Sequence, residues 1–501
     1  MGNNFIIEDK KTIDAELERY IKETDELIAE IETSPTTVTV KGTKYYVAAD
    51  GDDSNDGRSP EKAWKSVERV NKEDFAEGDG VFFKRGDKWR ITSSLMTKKG
   101  VTYSAFGTGA KPKLIASIDG SGEDKWEKTE FPDIYKYTAG SFDFNHNVGL
   151  IVFDDGKAWG IQVQKKKNGE RLANGLVFNG LETYVSDGGA FDDLGALSGN
   201  LEFYNDFSGT GELYLCCRGG NPGKLFGSIE ILVAINAIRG CGDDVVIDNI
   251  EIFGPGRHGI GYGSVKNLEV RYCTLRWIGG SVQGMYIFGR DYGTRLGNAV
   301  ESYGSSDGIS FHHCYASQIY DCCWTVQCLD AVKMNNVKMY KNVTEFCNTG
   351  LEVWNGGGEI KNMDLHDNYT RYNGYGWSHQ RPNKDGNFFY GGSNVNCEYE
   401  NNRVWNNVNY FTSENALLVC ATGPSQYNFH DNVYFMEKGR YLGGIAKDPS
   451  NGEGGFVQTP YDREHIEAAV ATGFEKGGKF YITEKEPFGM NMYCLAQKKS
   501  K

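Results

Sequence analysis

The chain has 501 residues, with 54 basic against 68 acidic side chains and a formal net charge of −14. Its 13% aromatic content excludes a disordered chain, and no stretch approaches the ~18 uncharged apolar residues that a membrane-spanning helix needs. The lack of a basic excess argues against a general nucleic-acid binder, because phosphate neutralisation needs one.

The 64 glycines against 11 prolines, with abundant Asn, point to many tight turns between short strands, hence to an all-β chain. The length allows two or three average domains or one elongated one. No basic start followed by an apolar core opens the sequence. The twelve cysteines, among them the adjacent pairs Cys216-Cys217 and Cys322-Cys323, show no C-x-x-C spacing. Both features read as reduced, buried thiols in a cytoplasmic protein, although a chain stripped of a leader would look the same.

In chain order, residues 1–35 hold a helix. From Thr12 to Glu32 the side chains Ile13, Leu17, Tyr20, Ile21, Leu27, Ile28 and Ile31 fall on one face, and Pro35 stops the run. Such a helix is expected to cap one end of a repetitive sheet stack, with a partner-binding helix as the alternative. Residues 36–135 open the main body with the alternating strand Val38–Val47. In the loop that follows, Asp50, Asp52, Ser54 and Asp56 alternate like calcium ligands but lack the distal bidentate Glu. The loop reads as an Asx-rich turn, with a structural calcium as the alternative; no cofactor is otherwise implied. Arg85-Gly86-Asp87 reads as an ordinary turn. Residues 136–230 carry strand-like runs such as Gly149–Phe153 and Glu212–Leu215 between polar loops, the pattern of a small antiparallel β insertion. Residues 231–440 form the main body with its cleft, and residues 441–501 a C-terminal tail or cap.

The main body repeats. Short patterns ending at Asn249, Cys273, Cys314, Asn342, Asn368, Asn402 and Asn432 each place an apolar residue three positions earlier, at intervals of 24, 41, 28, 26, 34 and 30. Periods in this range in a β-rich chain mean a solenoid. No helical crossover fits such intervals, so each is expected to be one coil of a parallel β-helix, seven marked positions giving a rod of about 30 Å or more at ~4.8 Å per coil. Stacked Asn side chains can bond one another along an inner turn, where Cys packs as a small hydrophobe. The long intervals place extra residues near Gly280–Asn298 and Trp377–Asn387, which are expected to form loops walling a cleft.

Between those walls, Ala299–Ser302, Thr325–Cys328 and Glu352–Asn355 align through their central Val. Alternation then puts Glu301, Gln327, Glu352 and Trp354 on one outward face. Asp321 precedes the middle strand, with Trp324 three residues on and Asp307 earlier. Five of the nine tryptophans (277, 324, 354, 377 and 405) fall in this stretch, and aromatic faces stack on sugar rings as well as in cores. Paired carboxylates beside a cleft suggest glycoside hydrolysis, one carboxyl protonating the leaving oxygen and another attacking carbon or activating water. Asp321, Glu352 and Glu301 are the candidate catalytic residues. Trp324, Gln327, Trp354, His379, Trp377, Asp307 and Arg295 are the candidate substrate contacts. No metal site is expected. Of the consecutive His312 and His313, one faces outward as a surface or core-edge residue.

Lys44–Val47, Asp50–Gly57, Ser59–Trp64, Phe83–Asp87, Gly100–Gly107, Arg295–Glu301 and Gln318–Asp321 together resemble motifs of bacterial right-handed parallel β-helix proteins. Many of these come from gut bacteria. Within that group the chain resembles glycoside hydrolase family 136, the lacto-N-biosidases, and family 141, fucosidases and xylanases. The resemblance covers residues ~36–440 and implies a right-handed parallel β-helix with an acidic pair on its face, carried over here to Glu301 and Asp321. It implies a carbohydrate substrate. Lacto-N-biosidases use two aspartates close in sequence, whereas here no Asp follows Asp321 until Asp330. Two other readings stand beside the hydrolase. One is a polysaccharide lyase acting on uronates, with Lys333, Arg295 or His379 as its cation or base. The other is a non-catalytic glycan-binding β-helix.

Overall fold

The computed structural model describes residues 5–165, 171–173, 194–287, 289–290, 292–380, 386–391, 397–419, 426–446 and 456–484. The chain is mostly β. Three long sheets of ten, twelve and eleven strands, paired in parallel almost throughout, run its length. Consecutive strands visit them in turn. Val300–Tyr303 lies in the ten-stranded sheet, Ser306–His312 in the twelve-stranded sheet and Tyr315–Ile319 in the eleven-stranded sheet; Cys322–Cys328 then returns to the first. Each strand pairs with its counterpart one coil later: Val300 faces Trp324, which faces Leu351, which faces Phe389. These four point inward and are fully buried or nearly so.

The corner after the twelve-stranded sheet explains the repeat. From Cys273 onward a residue with left-handed backbone precedes each inward position: Tyr272, His313, Lys341, Asp367, Asn406 and Asp431, all with φ between +49° and +58°; at the first marked position Asn249 is itself the left-handed residue, at φ +58°, and the buried Ile250 follows it. The marked side chain then turns inward. Asn342 Nδ2 donates to Asn368 Oδ1 at 3.0 Å, Asn368 to Asn407 at 2.9 Å and Asn407 to Asn432 at 2.9 Å. Glu475 closes the row, accepting from the Asn432 amide N–H and from its Nδ2. Cys273 and Cys314 continue it in the other direction, with Cys314 N–H on Asn342 Oδ1 at 3.0 Å. Asn407, not Asn402, is the ladder residue of its coil. Asn402 sits at a bend within the twelve-stranded sheet and bonds Met363 N–H and the Ile360 carbonyl instead. Two adjacent left-handed turns, at Asn401 and Asn406, make the sequence patterns alike.

The helix Lys10–Thr33 does not cap an end. It lies lengthwise on the outward face of the eleven-stranded sheet. Ile13, Leu17 and Tyr20 pack with Phe435 and Tyr481 of late coils, and Ile31 packs with Tyr315 and Val343 of earlier ones. Its 24 residues span ~36 Å, the reach of several coils. An apolar face of that length needs an equally long apolar strip, and the outward tyrosines of the sheet supply it. Tyr410 Oη bonds Thr24 Oγ1 at 3.0 Å, Arg371 pairs with Asp25 at 2.7 Å, and Arg276 pairs with Glu32. The sheet edge is covered instead by the strand Phe5–Ile7, which pairs in parallel with Lys479–Thr483.

The antiparallel insertion runs from Ser117 to Val233, a wider span than 136–230. This segment has a core of its own around Trp126, Phe153, Phe203 and Leu215. In the loop after Val47, Asp50 pairs with Lys84 at 3.0 Å, and Asp52 and Asp56 accept from the N–H groups of Ser54 and Arg58. Arg85 is buried and ties Ser34, just past the helix, to Asn249. The described cysteines form no disulfide; Cys241 is exposed, Cys397 half-buried and the others buried.

Candidate active site

A cleft of about 540 Å³ opens on the outward face of the ten-stranded sheet. Its floor is a column set by register. Gly261 faces Glu301, Glu301 faces Thr325, Thr325 faces Glu352, and Glu352 faces Tyr390. Beside it runs a second column, Tyr303, Gln327 and Trp354. Glu301 and Glu352 thus stand two coils apart, with Cα atoms about 9–10 Å from each other.

Glu301 is 7% exposed and receives three N–H donors. Gln327 Nε2 reaches Oε1 at 2.6 Å, Asn298 Nδ2 reaches Oε1 at 3.1 Å, and His258 Nε2 reaches Oε2 at 3.0 Å. The donor role of His258 follows from its other nitrogen: Nδ1 accepts the Asn298 backbone N–H at 3.1 Å, so in the neutral ring the proton sits on Nε2. Three converging donors complement negative charge on the carboxyl group. Asn298 also accepts the Cys322 N–H at 2.9 Å, which ties Glu301 to the corner holding Asp321.

Glu352 is 6% exposed and accepts the Thr325 hydroxyl at 2.5 Å. Asp321 is half-buried in the same cleft; its backbone is fixed between the Gly297 carbonyl and the Thr349 N–H. The structure therefore brings Glu301, Asp321, Glu352, Gln327, Trp354 and Arg295 together. Arg295 lies over the Tyr320 ring at 4.8 Å.

One wall is the antiparallel hairpin of Val282–Met285 and Gly293–Arg295, within the first predicted insertion. The segment Ser117–Val233 buttresses it. Asn147 bonds both the N–H and the carbonyl of Val282, and Gln164 Oε1 accepts the Gly293 N–H at 2.9 Å. The two backbones touch at Gly149 and Gly280, where a Cβ on either would lie 2.4 Å from the other segment.

Several sequence-based expectations are corrected here. Trp324 points into the solenoid core and is fully buried, because it alternates with Thr325. Trp377 is also fully buried, packed with Tyr320 and Trp277 and donating Nε1–H to the Gln318 carbonyl at 2.8 Å. Neither can stack on a ligand. Asp307 is on the twelve-stranded sheet, where it accepts from Asn336 at 2.7 Å. Lys333 is exposed on that same sheet and pairs with Glu359 at 3.1 Å. His312 and His313 lie there too. His313 sits in a left-handed turn, so strand alternation does not apply, and His312 stacks on Tyr340 at 4.6 Å. The side chain of His379 is outside the described residues. Sequence reasoning missed His258, Asn298 and Arg290. His258 belongs to an earlier coil, and only the stacking of coils joins it to Glu301; Asn298 stands three residues before Glu301 at the entry of the same strand.

Fold and cleft together define a class: a mostly β chain of stacked parallel coils with carboxylates gathered on one outward face. No family model matches the chain. Over 101 residues it is 32% identical to a lacto-N-biosidase of Bifidobacterium longum subsp. longum, a match covering 18% of this chain and only 6% of that protein. Among solved structures, XylC in complex with xylose aligns with a TM-score of 0.49 at 11% identity, over 84% of this chain and 74% of that one. A family 136 lacto-N-biosidase from Eubacterium ramulus aligns with a TM-score of 0.38 at 14% identity, over 79% and 64%.

Proposed function

We propose that the protein is a glycoside hydrolase built on a right-handed parallel β-helix, acting on an oligosaccharide or polysaccharide in the cleft of Glu301. The right hand follows from the general preference of parallel crossovers. The observation that carries the activity is Glu301 itself, a carboxylate held by His258, Asn298 and Gln327 beside two further carboxyl groups.

Three donors aimed at Glu301 stabilise negative charge on it, which suits it to serve as nucleophile or as base for water. The proton for the leaving oxygen then comes from another carboxyl. Glu352 shares the column two coils away, with Thr325 between them, and is assigned that role. Asp321 is the third carboxyl and meets substrate hydroxyls beside Glu301. Trp354, half-exposed at the edge of the cleft, offers a ring face for stacking. The test is mass spectrometry of products from mixed neutral and uronate-containing oligosaccharides. Products carrying one added water support the hydrolase, and their loss in Glu301→Gln assigns the residue.

One observation favours a second reading, a lyase. Arg290 and Arg295 both line the cleft and could neutralise a uronate. Unsaturated products, formed without added water, would establish it.

A further inference from the structure

The cleft does not stop at Glu301. A second hollow of about 620 Å³ continues from it along the same sheet toward the earlier coils, and Glu301, His258 and Leu296 belong to both. The floor column continues too: Arg239 faces Gly261, which faces Glu301. Arg239 therefore stands two coils before Glu301, as Glu352 stands two coils after it, each about 9–10 Å away at Cα. Between Arg239 and Glu301 the column holds only Gly261, and the Asn236 side-chain amide reaches over it, 2.7 Å from where a Cβ would stand.

Arg257, at the corner just before His258, lines the same hollow. Among the described residues neither Arg239 nor Arg257 has an ion-pair partner, whereas other cations of the chain do: Arg90 pairs with Glu230 at 2.7 Å and Lys113 with Glu251 at 3.0 Å. The Arg257 Nε is buried without a hydrogen-bond partner. Burial first, and the charge of Arg239 second, pull the Arg257 guanidinium below its ordinary value, so the two cations act on each other. Like charges left together and partly desolvated are costly unless an anion joins them. In a chain of net charge −14 they are a local reversal of sign.

We propose that Arg239 and Arg257 form an anion-binding subsite of the cleft, and that the glycan processed there carries a carboxylate or sulfate group on the sugar lodged beside Glu301. Paired guanidinium groups suit either oxyanion, which they can grip with two parallel N–H bonds. The assignment rests on the cleft being the sugar site, but it is read out by binding as well as by turnover.

The experiment is calorimetric titration of the full chain with four probes: a methyl glucuronoside, a methyl glucoside 6-sulfate, the neutral methyl glucoside and inorganic sulfate. The charged sugars should bind at least tenfold more tightly than the neutral one, with the advantage shrinking as salt rises, and the stronger of the two identifies the anion. The advantage should vanish in Arg239→Gln/Arg257→Gln. Arg239 is exposed, so Arg239→Gln alone carries the test if the double variant fails to fold; it should lower the advantage severalfold with the melting temperature unchanged. Equal binding of charged and neutral sugars, or an advantage that survives both variants, would overturn the subsite. So would inorganic sulfate binding as tightly as the charged sugars, since the arginines would then hold a free ion. A charge preference without any glycosidic cleavage would count against the hydrolase and leave the subsite standing; cleavage without charge preference would do the reverse.

Discussion

His258 donates its Nε2 proton to Glu301 across 3.0 Å, while its Nδ1 is held as an acceptor by the Asn298 N–H. One imidazole thus orients a carboxylate supplied by a different coil. Replacing it by Phe leaves Glu301 with two donors and a loose orientation. His258→Phe is expected to lower kcat by roughly 10–100-fold with little change in KM, as loss of an orienting partner does. Steady-state kinetics on the substrate found by product analysis checks this; an unchanged kcat would detach His258 from the chemistry.

The three carboxyl groups are separable by leaving group. Glu301→Gln should cost about 10³-fold or more with every substrate, because it removes nucleophile or base. Glu352→Gln should be severe with a sugar leaving group and mild with an activated aryl one that needs no proton. Asp321→Asn should raise KM for both. If instead Asp321→Asn shows the leaving-group dependence, the proton donor is Asp321.

The tryptophans divide by exposure. Trp354→Ala should raise KM about tenfold, the loss of one stacking face, with the melting temperature nearly unchanged. Trp324→Ala should cost roughly 3–5 kcal/mol of stability, because it opens a cavity in the solenoid core. Thermal melts beside kinetics distinguish the two; a stable Trp324→Ala with weakened binding would place that ring in the cleft after all.

The asparagine ladder makes a fourth expectation. Asn368 accepts from Asn342, donates to Asn407 and donates to the Met339 carbonyl. Asn368→Ala strands buried partners on both sides and should cost about 2–4 kcal/mol, read as a lowered denaturant midpoint at constant slope.

Glu475, at the end of that ladder, gives a pH dependence. It is fully buried, and burial raises its carboxyl from 4.5 to about 8, against the opposing donors Asn432 and Tyr434. Between those values the folded chain holds a proton that the unfolded chain releases. Its contribution to stability is therefore full below about pH 4.5 and falls as pH rises through about 8. Glu475→Gln keeps an acceptor for Asn432 but cannot ionise. Its melting temperature should gain on the wild type between pH 6 and pH 9, and a constant difference across that range would contradict the assignment.

Much of this was legible along the chain. The spacing of Cys273, Cys314, Asn342, Asn368 and Asn432 marks the coils because one left-handed turn and one inward polar side chain recur each time, and a local backbone requirement leaves a local trace. Strand alternation placed Glu301, Gln327, Glu352 and Trp354 on one face for the same reason. What tertiary structure alone decided are the relations between coils and between segments. Asn402 and Asn407 both follow a left-handed residue, and only stacking shows which joins the ladder. The helix Lys10–Thr33 shows its apolar face in sequence but not the tyrosine strip that receives it. Trp324 and Trp377 look like any cleft aromatics until packing puts them inside. His258 meets Glu301, and Arg239 joins its column, only because coils separated by tens of residues stack one strand spacing apart. Periodicity is a property of neighbours in the chain, whereas a site is a property of neighbours in space.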